Sequence, residues 1–277
     1  MHGFEVDPDP EGNRSVKILF VGDIFGKPGR QAVRHFVPRL RQEHALDLCV
    51  GNSENAAAGA GITPDAVDEL LGSGLDLLTS GNHTWSKREI IPLLGREDSR
   101  QLRPANYPEG APGRGHAVIS AANGRKLGVL NLEGRVFMKA LDCPFRAADR
   151  LVEELRAQTN CILVDMHCEA TSEKNALGHY LDGRVSAVLG THTHIQTADN
   201  RVLAGGTAYQ TDVGMCGPWD SVIGVKKETA IERFLTARHA PFEPASREVY
   251  LQGAIVDVDD DTGRARSIAR VQERLPE

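Results

Sequence analysis

Five times along this chain a short apolar run stops, and carboxylate, amide or imidazole side chains follow at once. Phe20-Val21 lead into Gly22-Asp23, and Val50 into Gly51-Asn52-Ser53-Glu54-Asn55. Leu78 leads into Thr79-Ser80-Gly81-Asn82-His83, and Val164 into Asp165-Met166-His167 with Glu169 just beyond. The last run, 185–189, leads into Gly190-Thr191-His192-Thr193-His194. Short Val/Ile/Leu runs read as strands buried on both faces. Polar groups at their ends are what an α/β sheet offers to a ligand. That pattern leaves few alternatives to strands whose tips share one site.

The expected strands are 16–21, 46–50, 75–78, 127–132, 161–164 and 185–189. Between them, 28–43 places Val33, Phe36, Val37 and Leu40 on one helical face, and 64–71 and 147–157 repeat the pattern. Thr63 before Pro64 is a helix start: a hydroxyl cap, then a ring at the first helical position. The alternation predicts an α/β fold with its functional groups at strand C-terminal ends, the tips of one sheet converging on a rim. Further on, 207–210, 249–258 and 264–271 read as strands and 226–237 as a helix, with 259–263 an acidic turn. Met1–Ser15, polar and acidic, reads as a flexible extension, and residues 16–277 as a single domain.

With a net charge of −6, the chain has no basic face for long nucleic acid, so a small phosphorylated ligand fits better. Its five cysteines, an odd number without Cys-x-x-Cys spacing, form no disulfide framework. No run has the length of a membrane span, and the first fifteen residues lack a signal-peptide core. These features predict a cytoplasmic protein with no membrane partner. They leave a homo-oligomer open.

Singly, each polar residue has a plain structural reading. Asp23 suits a turn that caps a helix, Asn82 suits a turn, and His167 suits a hydrogen-bonded core position. Together, carboxylate, amide and imidazole suit a borderline divalent metal such as Mn, Fe or Zn. His192 and His194, two residues apart, would face the same way from an extended backbone, with Gly190 turning the chain out of its strand. Asp165 and Glu169 are candidates for orienting the histidines, with ordinary packing as the alternative. Gly214–Gly224, with Trp219, is a candidate cover for a nucleotide base.

The ordered series Gly22-Asp23, Ser53-Glu54-Asn55, Gly81-Asn82-His83, His167 and Gly190-Thr191-His192-Thr193-His194 resembles the calcineurin-like metallophosphoesterase superfamily. Its bacterial YmdB-type branch is closer still, through Glu54-Asn55-Ala56-Ala57, 167–174, 212–218 and 221–224. Two positions depart from the wider superfamily: Phe25 stands where a histidine is usual, and Glu54 where the bridging residue is usually Asp. Both departures fit the YmdB-type branch.

The resemblance implies a four-layer α-β-β-α sandwich holding two divalent or mixed-valence ions, Fe or Mn first and Zn as a further candidate. Asp23, Asn55 and His194 would hold one ion. Asn82, His167 and His192 would hold the other, with Glu54 bridging and His83 beside the site as a catalytic group. The implied activity is hydrolysis of small phosphodiesters, cyclic nucleotides above all, through a hydroxide bridging ions about 3.5–4 Å apart. The 2′,3′-cyclic class comes first and the 3′,5′-cyclic class stays open. A regulatory cyclic-nucleotide-binding protein with little turnover, and another dimetal hydrolase, are the competing readings.

Overall fold

A computed structural model describes residues 15–238 and 242–276. In chain order it holds β1 (Ser15–Val21), β2 (Asp23–Ile24), α1 (Gly26–Glu43), β3 (Leu48–Asn52), α2 (Pro64–Gly72) and β4 (Leu77–Thr79). Then follow α3 (Ile91–Leu94), β5 (His116–Ser120), β6 (Lys126–Glu133), α4 (Pro144–Arg156), β7 (Ile162–His167), α5 (Thr171–Tyr180) and β8 (Ala187–Thr191). The chain closes with β9 (Arg201–Val202), β10 (Ala208–Gln210), β11 (Met215–Pro218), α6 (Lys227–Thr236), β12 (Val249–Asp259) and β13 (Ala265–Arg274). None of these helices is long and apolar enough to cross a membrane.

The strands form two sheets, not the one read from the apolar runs alone; two β layers are what the resemblance implied. A seven-stranded sheet runs β2-β11-β12-β1-β3-β4, with β13 also paired to β12. A six-stranded sheet runs β5-β6-β7-β8-β10-β9. In the first, β1, β3 and β4 are parallel; in the second, β6, β7, β8 and β10 are. Alternation along β1 explains how both faces become buried. Val16, Ile18 and Phe20 enter an apolar layer shared with Leu127, Val129, Leu163 and Leu189 of the other sheet. Leu19 and Val21 point the opposite way, against Val33, Phe36, Val37 and Leu40 of α1 and Leu70 of α2. The outer face of the second sheet packs on Ala148, Leu151 and Leu155 of α4 and Leu177 of α5.

The helix start at Thr63 is as expected: its Oγ1 accepts from the Ala66 amide at 3.2 Å. Helix α5 was not foreseen, because its buried face carries Glu173 and Lys174 and so lacks an apolar stripe. The strand ends also differ. Strand β3 runs through Asn52, and β7 through Asp165 to His167, so residues read as loop are buried strand tips. Gly190 lies inside β8, opposite Met166, and does not turn the chain. The extension expected at Met1–Ser15 lies outside the described residues, except Ser15, which begins β1 opposite Asp259.

Gly190 has a packing role, since a Cβ there would fall on the Thr211 carbonyl beside it. We expect Gly190→Ala to cost about 1–3 kcal/mol by overpacking. Gly72→Ala, in open space at the end of α2, should be neutral or stabilising by up to about 1 kcal/mol. Paired calorimetric melts check this; equal effects would place the crowding elsewhere.

Candidate metal centre

The C-terminal tips of both sheets meet in one buried pocket. His167 Nε2, at the tip of β7, lies 3.0 Å from Asn82 Oδ1, 3.0 Å from His192 Nδ1 and 3.1 Å from Glu54 Oε2. An imidazole nitrogen carries one proton or one lone pair, so it cannot bond all three neighbours. A proton on Nε2 satisfies at most one of these contacts, here Glu54, and leaves the other acceptor atoms crowded without a partner. Edges near 3 Å are what ligand atoms about 2.1 Å from a common ion show at right angles. Glu54, His167 and His192 thus form a group able to hold a metal ion.

A second set of atoms adjoins the first. His194 Nε2 lies 3.3 Å from Asn55 Oδ1 and 3.9 Å from Asp23 Oδ1, and that Asp23 oxygen is 3.8 Å from His167 Nδ1. Asp23 is fully buried, and its Oδ1 has no hydrogen-bond partner among the described residues. Oxygen and nitrogen donors without a thiolate, one of them a buried orphaned carboxylate oxygen, fit a divalent cation. The structure therefore brings Asp23, Glu54, Asn55, Asn82, His167, His192 and His194 together.

Each histidine is locked by a bond on its other ring nitrogen, which decides the nitrogen aimed inward. His167 Nδ1 donates to Thr191 Oγ1 at 2.9 Å, and that hydroxyl donates to Asp165 at 2.7 Å. His192 Nε2 donates to Glu169 at 3.0 Å, leaving Nδ1 inward. His194 Nδ1 donates to the Ile223 carbonyl at 2.8 Å, leaving Nε2 inward. Asn55 is aimed likewise, its Nδ2 donating to the Gly59 carbonyl at 3.0 Å. Glu169 thus bonds His192 directly, whereas Asp165 is linked to His167 by hydrogen bonds only through Thr191.

The extended geometry expected of the His-x-His pair is not what forms. Strand β8 ends at Thr191, and His192 and His194 then take φ values of 98° and 65°, a left-handed region that side chains disfavour. Thr193 between them is clamped, its amide at 3.1 Å and its hydroxyl at 2.7 Å both donating to Asp212 Oδ2. The buried Lys174 ammonium holds the same oxygen at 2.8 Å, and the Gly214 amide donates to Asp212 Oδ1 at 2.9 Å. Lys174 and Asp212 lie in stretches that carry the resemblance, 167–174 and 212–218, but the sequence reading gave neither a role. A lysine on the inner face of a short helix was the available signal.

Burial pushes the Asp23 carboxyl up to about 6, although His194 and His167 pull the other way. Burial pushes Glu54 up as well, but the His167 charge and hydrogen bond, with His83, bring it down to about 2. Burial lowers His167 too; Glu54, Asp23 and Asp165 outweigh it and raise the imidazole to about 9. His192 is lowered to about 3 by burial and by the neighbouring His167 charge. Its lone pair is accordingly free at neutral pH.

His83 stands at the side of the pocket. Its backbone amide donates to Glu54 Oε2 at 3.2 Å, its Nδ1 is 3.3 Å from Ser86 Oγ, and its ring lines a cleft of about 450 Å³. Glu169, His192 and His194 line the same cleft, with Phe25, Ile223, Val225, Phe242 and Pro244 as its apolar wall. Phe25 is buried edge-on to His194, with ring centroids 5.8 Å apart. Trp219 is not the cover expected from the sequence: it packs on Tyr250 at 5.2 Å.

The YmdB-like protein family model matches residues 19–271. A 2′,3′-cyclic-nucleotide 2′-phosphodiesterase of Bacillus subtilis (strain 168) is 48% identical over 256 residues, covering 92% of this chain and 96% of the relative. A crystal structure from Thermus thermophilus, described as a hypothetical protein, superposes with TM-score 0.88 at 43% identity, covering 94% of this chain and 100% of that one. A structure described as a novel phosphatase from Mycoplasma pneumoniae gives TM-score 0.87 at 32% identity and covers 94% of each chain. The chain belongs to the YmdB-like family.

Gly81 admits the close approach of the ligand atoms, since a Cβ there would overlap the His167 ring and the Glu54 carboxylate. Gly81→Ala should weaken metal binding roughly tenfold or more, read by metal analysis after dialysis against graded chelator. Because the metal-free pocket holds a proton on His167 up to pH about 9, binding must expel it. Affinity should therefore rise with pH by about tenfold per unit between about 6, below which Asp23 also takes up a proton, and about 9. Calorimetric titrations in buffers of different ionisation heat would reveal the proton. A pH-independent affinity would remove His167 from the ligand set.

Proposed function

We propose that this member of the YmdB-like family is a metal-dependent phosphodiesterase that hydrolyses small cyclic phosphodiesters, 2′,3′-cyclic nucleotides first. The observation that carries the reading is the crowding of Asn82, His192 and Glu54 donor atoms around His167 Nε2, with Asp23 Oδ1 orphaned beside it. The Bacillus relative's cyclic-nucleotide activity supplies the substrate class, with 3′,5′-cyclic nucleotides as a second class to test beside it. We read residues 16–277 as one catalytic domain layered α-β-β-α, and the protein as working in the cytoplasm.

In this reading Asn82, His167 and His192 would hold one ion and Asp23, Asn55 and His194 the other, with Glu54 available to both. Iron or manganese suits this nitrogen and oxygen set best, with zinc a third choice. When bound, such ions supply Lewis acidity and bring the pKa of water towards neutrality.

The rest belongs to the protein's own side chains. Burial keeps bulk water from the pocket floor. The bonds from Thr191, Glu169 and Ile223 keep the imidazoles from rotating as charge changes at phosphorus. His83, on the cleft wall and outside the ligand set, would give a proton to the ribose oxygen that leaves as a water molecule adds to phosphorus, opening the ring to a monoester.

His83→Ala should lower kcat on 2′,3′-cyclic AMP between about 100- and 10,000-fold with metal content unchanged. Metal analysis of anaerobically purified protein, with assays on cyclic nucleotides and bis-p-nitrophenyl phosphate, checks both. Loss of metal together with activity would make His83 a ligand. A metal-replete wild type inert on every phosphodiester would overturn the reading.

A further inference from the structure

Opposite its polar face, the catalytic cleft carries one exposed aromatic ring. Phe242 lines the cleft with Ile223, Val225 and Pro244 and is 63% exposed. One side of the ring is occupied, because the Arg233 guanidinium of α6 lies 4.0 Å from its centroid. The chain that follows is held by a ladder. The Lys226 amide donates to the Glu243 carbonyl at 2.9 Å, and the Ala245 amide donates to the Gly224 carbonyl at 2.9 Å. An ion pair between Lys226 and Glu243 at 2.6 Å fastens the same edge. This ladder begins one residue after Ile223, whose carbonyl orients His194. The ring and a proposed ligand thus hang from one short piece of backbone.

A phenyl ring backed by a guanidinium and open on its other face suits a planar π-system. Its attraction does not depend on which hydrogen-bonding groups that system carries. We propose that Phe242 is the base-stacking residue of this enzyme, receiving the nucleobase of the cyclic nucleotide while the phosphodiester lies at the metal pocket. The inference rests on the phosphodiesterase reading and deepens it by assigning the base a place. It also implies tolerance: adenine, guanine, cytosine and uracil all present a face to stack.

The test compares 2′,3′-cyclic nucleotides of the four bases with 1-O-methylribose 2′,3′-cyclic phosphate, which lacks a base. Wild-type protein should prefer the nucleotides in kcat/KM, all four within a narrow range. In Phe242→Ala the preference over the base-free diester should fall about tenfold or more, through KM and not kcat. Phe242→Trp should restore it, and a melting curve shows whether each variant is folded. An equal loss on both substrate types, or an unchanged preference, would overturn the stacking role. A wild type that cleaves neither would overturn the phosphodiesterase reading instead.

Discussion

One carboxylate, Asp165, joins the two sheets where it matters. It sits fully buried at the inner end of β7 and accepts from Asn52 Nδ2 at 2.9 Å, Thr79 Oγ1 at 2.5 Å and Thr191 Oγ1 at 2.7 Å. Asn52 and Thr79 belong to one sheet, Thr191 and Asp165 to the other. Burial raises its pKa, which those hydrogen bonds oppose. A buried carboxylate is tolerable only with such bonds, so their loss would leave a charge stranded between the sheets. A second polar link lies nearby. Asn131 of β6 exchanges two 3.0 Å bonds with the backbone of Ser80, ahead of Gly81 and Asn82. Side chains from distant parts of the chain share one pocket because of this polar seam in an otherwise apolar interface.

The His-Thr-His segment shows a different solution. Two consecutive imidazoles of an extended chain would share one direction, whereas the proposed centre needs them on separate ions. Left-handed backbone at His192 and His194 separates them, and local strain is the cost. Asp212, itself neutralised by Lys174, fastens Thr193 and so holds the conformation in place. A buried ion pair of this kind is weak evidence for stability but a good device for fixing one geometry.

Much of this was legible in the residues. Apolar runs located most of the strands, and the polar groups at their ends included every side chain that meets in the pocket. The number of sheets was not legible in the apolar runs and came only with the resemblance. A run buried on both faces looks alike whether its far side meets a helix or another sheet, as β1 illustrates with Ile18 and Leu19. Strand ends were misplaced where Asn52, Asp165 and His167 continue the ladder, because polar residues at a buried tip look like loop. The backbone of His192 and His194 was beyond reach, since a positive φ at histidine is imposed by tertiary contacts. Trp219 drew notice because it lies in the 214–224 stretch, whereas nothing around Phe242 in the sequence marks it, and only coordinates show that it borders the cleft.

The placement of the donors on both sheets has a consequence far from the pocket. Asp23, Glu54, Asn55 and Asn82 ride on one sheet, His167, His192 and His194 on the other, and the layer of Ile18, Phe20, Leu163 and Leu189 sets the gap between them. The two sheets therefore act like the jaws of a caliper whose opening is set by aliphatic girth. A swap such as leucine for valine in that interior would touch none of the pocket's donor side chains, yet it would change how far apart the two jaws hold them.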